Sequence, residues 1–315
     1  MQFSIIIPAK NEEANIGRCL DSISAVSWDK SQYEVILVDN GSTDRTVEIA
    51  EGKSVRVFCK PELTISGLRN FGARQSTGEV LAFIDADCTV DPGWLMRAAS
   101  YLSRDSVVCF GSPPIIPDNA TWVQKAWFAV RKKQADVCET DWLESMNMFV
   151  RRSAFAASGG FDESLITCED YDLSIRLKQY GQIISDSSIV AVHHGEAATV
   201  GRFFRKERWR GTSNLLGMKQ HGFSWREFPS VIIPAVYLIV LLICLYYVAS
   251  ILITHDSESF SLGLLLIVFW QVPLLVIAVI KSRKTFGYIV PLQLYVLLNI
   301  YFLARGSAFI RIHEG

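Results

Sequence analysis

Four short apolar runs in the first ninety residues, separated by stretches of helical period, constrain the fold of this chain more than any other feature. The run "FSIIIPA" (3–9) is nearly all apolar, as a strand covered on both faces should be. A helical stretch follows, with Ile16, Cys19, Leu20 and Ile23 at i, i+3, i+4 and i+7. Next come "YEVILVDN" (33–40) and "STDRTVEIA", whose Ser, Thr and Asp suit a helix N-terminus. "VRVFCK" (55–60), a helix through "SGLRNFGARQS" (66–76) and "EVLAFIDAD" (79–87) complete the series. Strands alternating with helices predict an α/β fold with a mostly parallel, doubly wound sheet. In such sheets the ligand sits beyond the carboxyl ends of the strands. Those ends are polar: Pro8-Ala9-Lys10-Asn11-Glu12, Asp39-Asn40-Gly41 and Asp85-Ala86-Asp87.

Asp85 and Asp87 stand two apart, so they share a face if strand geometry persists to the tip. No adjacent Lys or Arg neutralises them. Two readings accommodate the pair. Asp is a common residue of polar turns, and paired carboxylates also suit a divalent cation whose shell is completed by phosphate oxygens.

The whole chain sets outer bounds. Its 315 residues carry a formal net charge of −1, which suggests no general affinity for nucleic acid. Seven cysteines are scattered, odd in number and without a C-x-x-C pair, which argues against a disulfide framework and a structural zinc site. Reduced thiols in a cytoplasmic compartment are the simplest reading. The opening "MQFSIIIPAKNEE" has neither the basic start nor the apolar run of a signal peptide.

Composition shifts near residue 228, which predicts a soluble domain over 1–228 and a membrane region over 229–315 with two to three transmembrane helices. From Pro229 to Thr254 there is no charged residue. As a helix this run would measure roughly 39 Å, at about 1.5 Å per residue. A second uncharged run covers 260–280, and a third, 287–304, contains Gln293 and Asn299 and either spans or lies in the interface. The link 255–259 lacks Lys and Arg, whereas 281–284 holds three, so the soluble domain belongs in the cytoplasm. A third span would put Arg305 and Arg311 outside, against that rule, and the conflict stays open.

Four blocks now resemble the family 2 glycosyltransferases, enzymes of the GT-A fold that use nucleotide sugars: "SIIIPAKNEEANIGRCLDSI", "VILVDNGSTDRTVEIA", "GLRNFGARQSTGEVLAFIDADCTVDPGWL" and "GGFDESLITCEDYDLSIRL". They cover about residues 3–180 in the family's order and spacing. A single D-x-D is a weak motif, whereas four ordered blocks are specific. The resemblance implies that Asp39 hydrogen-bonds the nucleobase, that Pro8, Ala9 and Glu12 line the nucleoside pocket, and that Arg69 lies beside the base. It places Asp85 near ribose and metal, Ala86 in the donor site, and Asp87 as direct ligand of Mg²⁺ or Mn²⁺. A cation bridging the phosphates would stabilise the charge that gathers on a leaving nucleoside diphosphate.

In "TCEDYDLSIRLKQYG" the resemblance makes Asp170 the general base toward the acceptor hydroxyl, worth about 10²–10⁴-fold. Glu169 would orient a neighbour or bind the acceptor. The bland alternative is that Glu169, Asp170 and Asp172 favour the helix N-terminus through its dipole. In "IVAVHHGE" a histidine resembles the one that completes the metal shell. Adjacent histidines on a strand face opposite ways, and His193 is assigned to the metal over His194. "RFFRKERWRG" (202–211) resembles loosely the Q-x-x-R-W motif of processive synthases through Arg208-Trp209 but lacks its Gln, a departure that counts against processive synthesis. Its Arg and Lys side chains, Arg208 among them, would clamp the donor diphosphate with Trp209 in the substrate site, or would lie on anionic lipid headgroups. "NATWVQKAWFAVRKKQ" (119–134) reads either as a basic interfacial helix or as a core helix with a solvated basic face. Asn147, in the acceptor-side block, would shape the acceptor pocket.

The resemblance therefore implies an inverting, metal-dependent glycosyltransferase of the inner membrane, multi-pass, with its catalytic domain cytoplasmic and a lipid-linked glycan acceptor for a surface polysaccharide. A polyprenyl-phosphate sugar synthase shares fold and spans, but a phosphate acceptor needs no strong base. A non-catalytic membrane scaffold would have no reason to retain Asp39, Asp87 and Asp170. A sugar nucleotidyltransferase would show a Gly-rich loop after the first strand, and "PAKNEEANIG" is not one.

Overall fold

The computed structural model of the chain describes residues 2–131, 136–165, 168–221, 228–254, 257–282 and 290–311. The chain divides into two compact units, Met1–Pro117 with Lys133–Glu196, and Asp118–Lys132 with Ala197–Gly315. The first unit begins with β1 (Phe3–Ala9), α1 (Ile16–Ser24), β2 (Tyr33–Asp39), α2 (Thr46–Glu51), β3 (Arg56–Cys59), α3 (Ile65–Gln75) and β4 (Val80–Ile84). It continues with β5 (Cys88–Val90), α4 (Trp94–Ala99) and β6 (Val107–Gly111). After α5 (Trp122–Arg131) of the second unit come β7 (Val137–Glu139), β8 (Asn147–Arg151), α6 (Arg152–Ala157), α7 (Glu169–Leu177), β9 (Gln182–Asp186) and β10 (Ala191–His193). The second unit adds α8 (Val200–His221), α9 (Phe228–Thr254), α10 (Ser257–Ser282) and α11 (Val290–Ser307).

The main sheet runs β3-β2-β1-β4-β8-β6-β9-β7, and β5 pairs separately with β10. Its first four strands are parallel, as the alternation of strands and helices requires. The second half is mixed, because β8 inserts antiparallel between β4 and β6. The expectation of a mostly parallel sheet thus holds only as far as β4, the point where the regular alternation in the sequence ends.

Side chains of successive strand residues go to opposite faces, and both faces are covered. Ile5, Ile7, Leu37, Ala82 and Ile84 pack with Ile16, Cys19, Leu20 and Ile23 of α1 and with Trp94. Ile6, Leu81, Phe83 and Met148 pack with Phe155, Phe161 and with Leu173 and Leu177 of α7. Each fully buried Leu, Ile, Phe or Met side chain among them contributes about 1.5–3 kcal/mol. Those two leucines seat α7 and so fix where Glu169 and Asp170 stand.

The expected boundary at 228 differs from the division into units. Val123 and Ala126 of α5 and Phe203 of α8 pack with Leu297 of α11, which draws both helices into the C-terminal unit. Among the described residues, α10 over Ser261–Ser282 is long and apolar enough to cross a membrane, and α9 carries a shorter apolar stretch, Val231–Tyr247. Lys132, Lys133 and parts of the two links used for orientation lie outside the described residues.

Candidate active site

The site grows from the carboxyl ends of β1, β2 and β4. Ala9 and Asp39 are in register on adjacent strands, and Pro8, Ala9 and Asp39 are buried there. The Asp39 carboxylate accepts from the Ser42 backbone N–H at 2.8 Å and from the Ser42 hydroxyl, which ties the turn after β2. Gly41, at φ +70, makes that turn, and a Cβ on it would come within 2.8 Å of the Pro61 Cβ. Glu12 is half-buried, and its backbone N–H donates to Thr46 at 2.7 Å. Burial raises its pKa, and the Asp87, Asp85 and Asp44 charges push the same way against a hydrogen bond from Asn15. The carboxylates thus sense one another across the strand ends.

Strand geometry does not reach the aspartate pair. β4 stops at Ile84, and the chain turns at once, with the Cys88 N–H donating to the Asp85 carbonyl at 3.0 Å. The two carboxylates take different partners. Asp85 accepts from Arg69 at 2.8 Å, so the expectation of an unneutralised pair is corrected: the cation comes from α3, sixteen residues upstream. Arg69 is 3% exposed, and its other terminal nitrogen donates to Glu169 at 2.8 Å. Its guanidinium lies 5.5 Å from the Phe161 ring centre. Arg69, expected beside the nucleobase, bridges Asp85 to the start of α7, held between two half-buried carboxylates.

Asp87 meets His193, with Oδ2 3.0 Å from Nε2. Glu196 stands 3.4 Å from Nδ1 of the same ring. Burial pulls His193 down, but the Asp87 and Glu196 carboxylates outweigh it and hold its pKa up at about 9. His194 faces the other way, 2.9 Å from the Thr89 hydroxyl. Among the described residues no three His, Cys, Asp or Glu side chains close around one point. Asp87 Oδ2 and His193 Nε2 nevertheless stand as neighbouring ligands of an ion with bonds of about 2.1 Å would. Gly195 keeps that place open, since a Cβ there would lie 1.8 Å from Asp87 Oδ2. A carboxylate and an imidazole fit a divalent cation that arrives with phosphate oxygens of its own.

Asp170 lies in the first turn of α7, half-buried, and its carboxylate accepts from the Tyr171 N–H at 2.8 Å. A helix N-terminus alone would depress its pKa. Here burial, then the Glu169 and Glu144 charges, push it up to about 7, with Arg69 acting the other way. That is the range in which a carboxylate both holds and accepts a proton near neutral pH.

Residues 4–159 match the model of glycosyl transferase family 2. Glycosyltransferase AglE of Haloferax volcanii is 31% identical over 213 residues, 65% of this chain and 70% of that protein. The chain belongs to glycosyl transferase family 2. It is a glycosyltransferase. A beta-monoglucosyldiacylglycerol synthase of a Nostoc species is 27% identical over 228 residues, 65% of this chain but only 47% of that protein. The mannosyltransferase PcManGT from Pyrobaculum calidifontis, solved in complex with GDP-Man and Mn²⁺, superposes with a TM-score of 0.62 at 16% identity, over 98% of this chain and 86% of that one. That likeness is one of fold, a GT-A-like mixed α/β sheet.

Within this family 2 transferase, Asp39, Pro8, Ala9, Glu12, Asp85, Ala86, Asp87, Glu169, Asp170 and His193 all belong to the first unit. Asn147 does not line a pocket. It is fully buried, accepts from the Trp94 indole at 2.9 Å and donates to the Ile189 carbonyl at 2.8 Å and to Ser112. The acceptor role expected of it is corrected to a structural one, since nothing of its amide faces outward. Arg208 and Trp209 lie on α8 in the second unit, Trp209 well exposed. Sequence reasoning missed Glu196, Gly195 and Glu144. The first two stand in plain view in "HHGE", next to the histidine that was singled out; Glu144 carries no local signal.

Proposed function

We propose that this glycosyltransferase moves a sugar from a nucleotide-diphosphate donor to a hydroxyl of a lipid-linked acceptor, with inversion at the anomeric carbon. The observation that carries the reading is Asp170, lifted to about 7 and joined through Glu169 and Arg69 to Asp85 of the D-x-D turn. Asp39, Pro8, Ala9 and Glu12 receive the nucleoside at the ends of β1 and β2. A bound Mg²⁺ or Mn²⁺, held by Asp87 and His193 beside Asp85, would supply positive charge against the leaving diphosphate. Asp170 accepts the proton of the acceptor hydroxyl while that oxygen bonds to the anomeric carbon from the face opposite the nucleotide. The sugar–phosphate bond breaks, and its electron pair leaves with the nucleoside diphosphate. Glu169, held by Arg69, keeps the base helix in register with the donor turn. No protein nucleophile is required.

The lipid character of the acceptor is supported by the apolar α9 and α10 and by the Nostoc relative, whose name states a diacylglycerol product. We place the first unit in the cytoplasm, with α9 and α10 as inner-membrane spans and the acceptor a glycan for a surface polysaccharide. A polyprenyl-phosphate acceptor would leave the raised Asp170 without a task, because a phosphate oxygen is already ionised.

The test is donor turnover by the detergent-solubilised full chain, screened over UDP-, GDP- and dTDP-sugars with Mn²⁺ or Mg²⁺, beside Asp87→Ala and Asp170→Ala. Metal-dependent turnover of one donor, lost in Asp87→Ala, supports the reading. Metal-independent turnover, or none with any donor in the presence of a lipid extract, overturns it.

A further inference from the structure

The direction of α11 is set by its contacts within the second unit. Tyr237 and Trp270 have ring centres 6.0 Å apart, and a Cβ on Gly263 would lie 3.0 Å from the Tyr247 Cβ. Later residues of α9 thus meet earlier residues of α10, and the two form an antiparallel hairpin. A third span after α10 would have to run the same way as α9. α11 does not follow that course. Asn299 accepts from the Tyr237 hydroxyl at 2.6 Å, and a Cβ on Gly306 would lie 2.7 Å from the Pro234 carbonyl oxygen and 3.2 Å from the Leu238 Cβ. Seven residues of α11 thus advance little along α9, so the helix crosses it obliquely and stays near the end where α9 begins.

The far end of α11 then reaches α8, which precedes α9 in the chain. A Cβ on Gly211 would lie 3.1 Å from the Arg305 Cα, and Arg305 Nε donates to Glu207 at 3.1 Å. Glu207 is 1% exposed and also accepts from Arg210 at 2.7 Å, a buried charge cluster that holds its geometry only while all its members stay together.

Exposure differs between the helices in degree. Leu242, Leu245 and Tyr246 of α9 and Leu265, Val268 and Phe269 of α10 are exposed apolar side chains. In α11, Leu292 and Val296 are exposed near its start, whereas Leu294, Leu297, Leu298 and Ala304 are buried, the leucines among α5, α8 and α10. Exposed Arg202, Arg205 and Trp209 on α8, and Lys125 and Trp122 on α5, have the chemistry of a headgroup layer.

We infer that α11 does not cross the bilayer: it ends on the side from which α9 enters, packed with α5 and α8 into a basic and aromatic collar at the lipid headgroups, while the α9–α10 hairpin does the spanning. The inference rests on the membrane attachment proposed above. It also removes the charge conflict of a third span, because Arg305 now counts with the basic residues of α8.

The test maps three sites in the full chain, each carried separately: a protease-cleavable epitope before Met1, one after Gly315, and one inserted in the 255–259 link. Spheroplasts and inverted vesicles are treated with external protease, and donor turnover serves as the check of folding. The N-terminal and C-terminal epitopes should both be cut only in inverted vesicles, and the link epitope only in spheroplasts. A C-terminal epitope cut in spheroplasts, with the N-terminal one protected, would mean that α11 spans; the inference fails and the membrane reading stands. All three epitopes on one side, with alkaline extraction of the protein, would sink both. The C-terminal epitope alone decides between the topologies, so an insertion that spoils the link does not blunt the test.

Discussion

Replacing Asp170 by Asn should cut transfer by about 10²–10⁴-fold and, at alkaline pH, make the fold more resistant to heat. An aspartate ordinarily ionises near 3.8; burial, then Glu169 and Glu144, push Asp170 up to about 7. Between those values the folded chain holds a proton that the unfolded chain has released. Stability therefore falls as pH rises through that window, and above pH 7 the full cost of a buried carboxylate is present. At about 1.4 kcal/mol per pH unit the interval amounts to about 4 kcal/mol. Part of it is repulsion shared with Glu169, so the expected gain is about 2–4 kcal/mol. Asn keeps an oxygen for the Tyr171 N–H, which now donates at 2.8 Å, and brings no charge. For a unit of this size each kcal/mol moves the melting point by roughly 2–4 °C, so the variant should melt roughly 5–15 °C above the parent at pH 8. The gap should shrink by more than half at pH 5. Thermal melts of the full chain in detergent, followed by circular dichroism at both pH values, read this directly. A variant less stable at pH 8, or a gap that does not narrow on acidification, would refute the reasoning.

Three other substitutions separate roles at the site. Gly195→Ala puts a Cβ where the Asp87 carboxylate stands, 1.8 Å from Oδ2, and should cost about 10²-fold in turnover with a raised Mn²⁺ requirement and an unchanged melting point. Normal turnover at ordinary Mn²⁺ would remove Asp87 from the metal. Arg69→Met leaves Asp85 and Glu169 without their buried cation, at a cost of about 3 kcal/mol, and should move the Asp170 titration further up because Arg69 now holds it down. A stable variant with an unmoved pH profile contradicts that bridge. Asn147→Ala strips partners from Trp94, Ser112 and Ile189, each worth about 1–3 kcal/mol, so it should lower the melting point while leaving the acceptor KM of the surviving folded enzyme unchanged.

Much of this was legible in residue order. The apolar runs 3–9 and 33–40 became β1 and β2 almost residue for residue, because a strand covered on both faces leaves a continuous hydrophobic signature. Leu173 and Leu177, four apart in the sequence, form the buried face of α7, as helical spacing dictates. What spacing does not carry is the meeting of distant side chains. Arg69 is sixteen residues from Asp85 and a hundred from Glu169, so only the fold reveals that it binds both. Asn147 stood in a functional-looking block, yet its position on the central β8 buries it completely. The insertion of β8 between β4 and β6 left no mark in the strand and helix alternation, which is local, whereas strand order is not. The C-terminal unit shows the same limit: hydropathy counts apolar residues but carries no direction, and the course of α11 is told by Asn299 and Gly306.

The most direct test of Asp170 as the base is the pH dependence of kcat/KM for transfer to a hydroxyl acceptor at saturating divalent cation, which reports on the free enzyme. The account predicts an acid limb falling about tenfold per pH unit below a midpoint near 7, absent from the residual activity of Asp170→Asn. A profile flat down to pH 5, or the same limb surviving in Asp170→Asn, would contradict it.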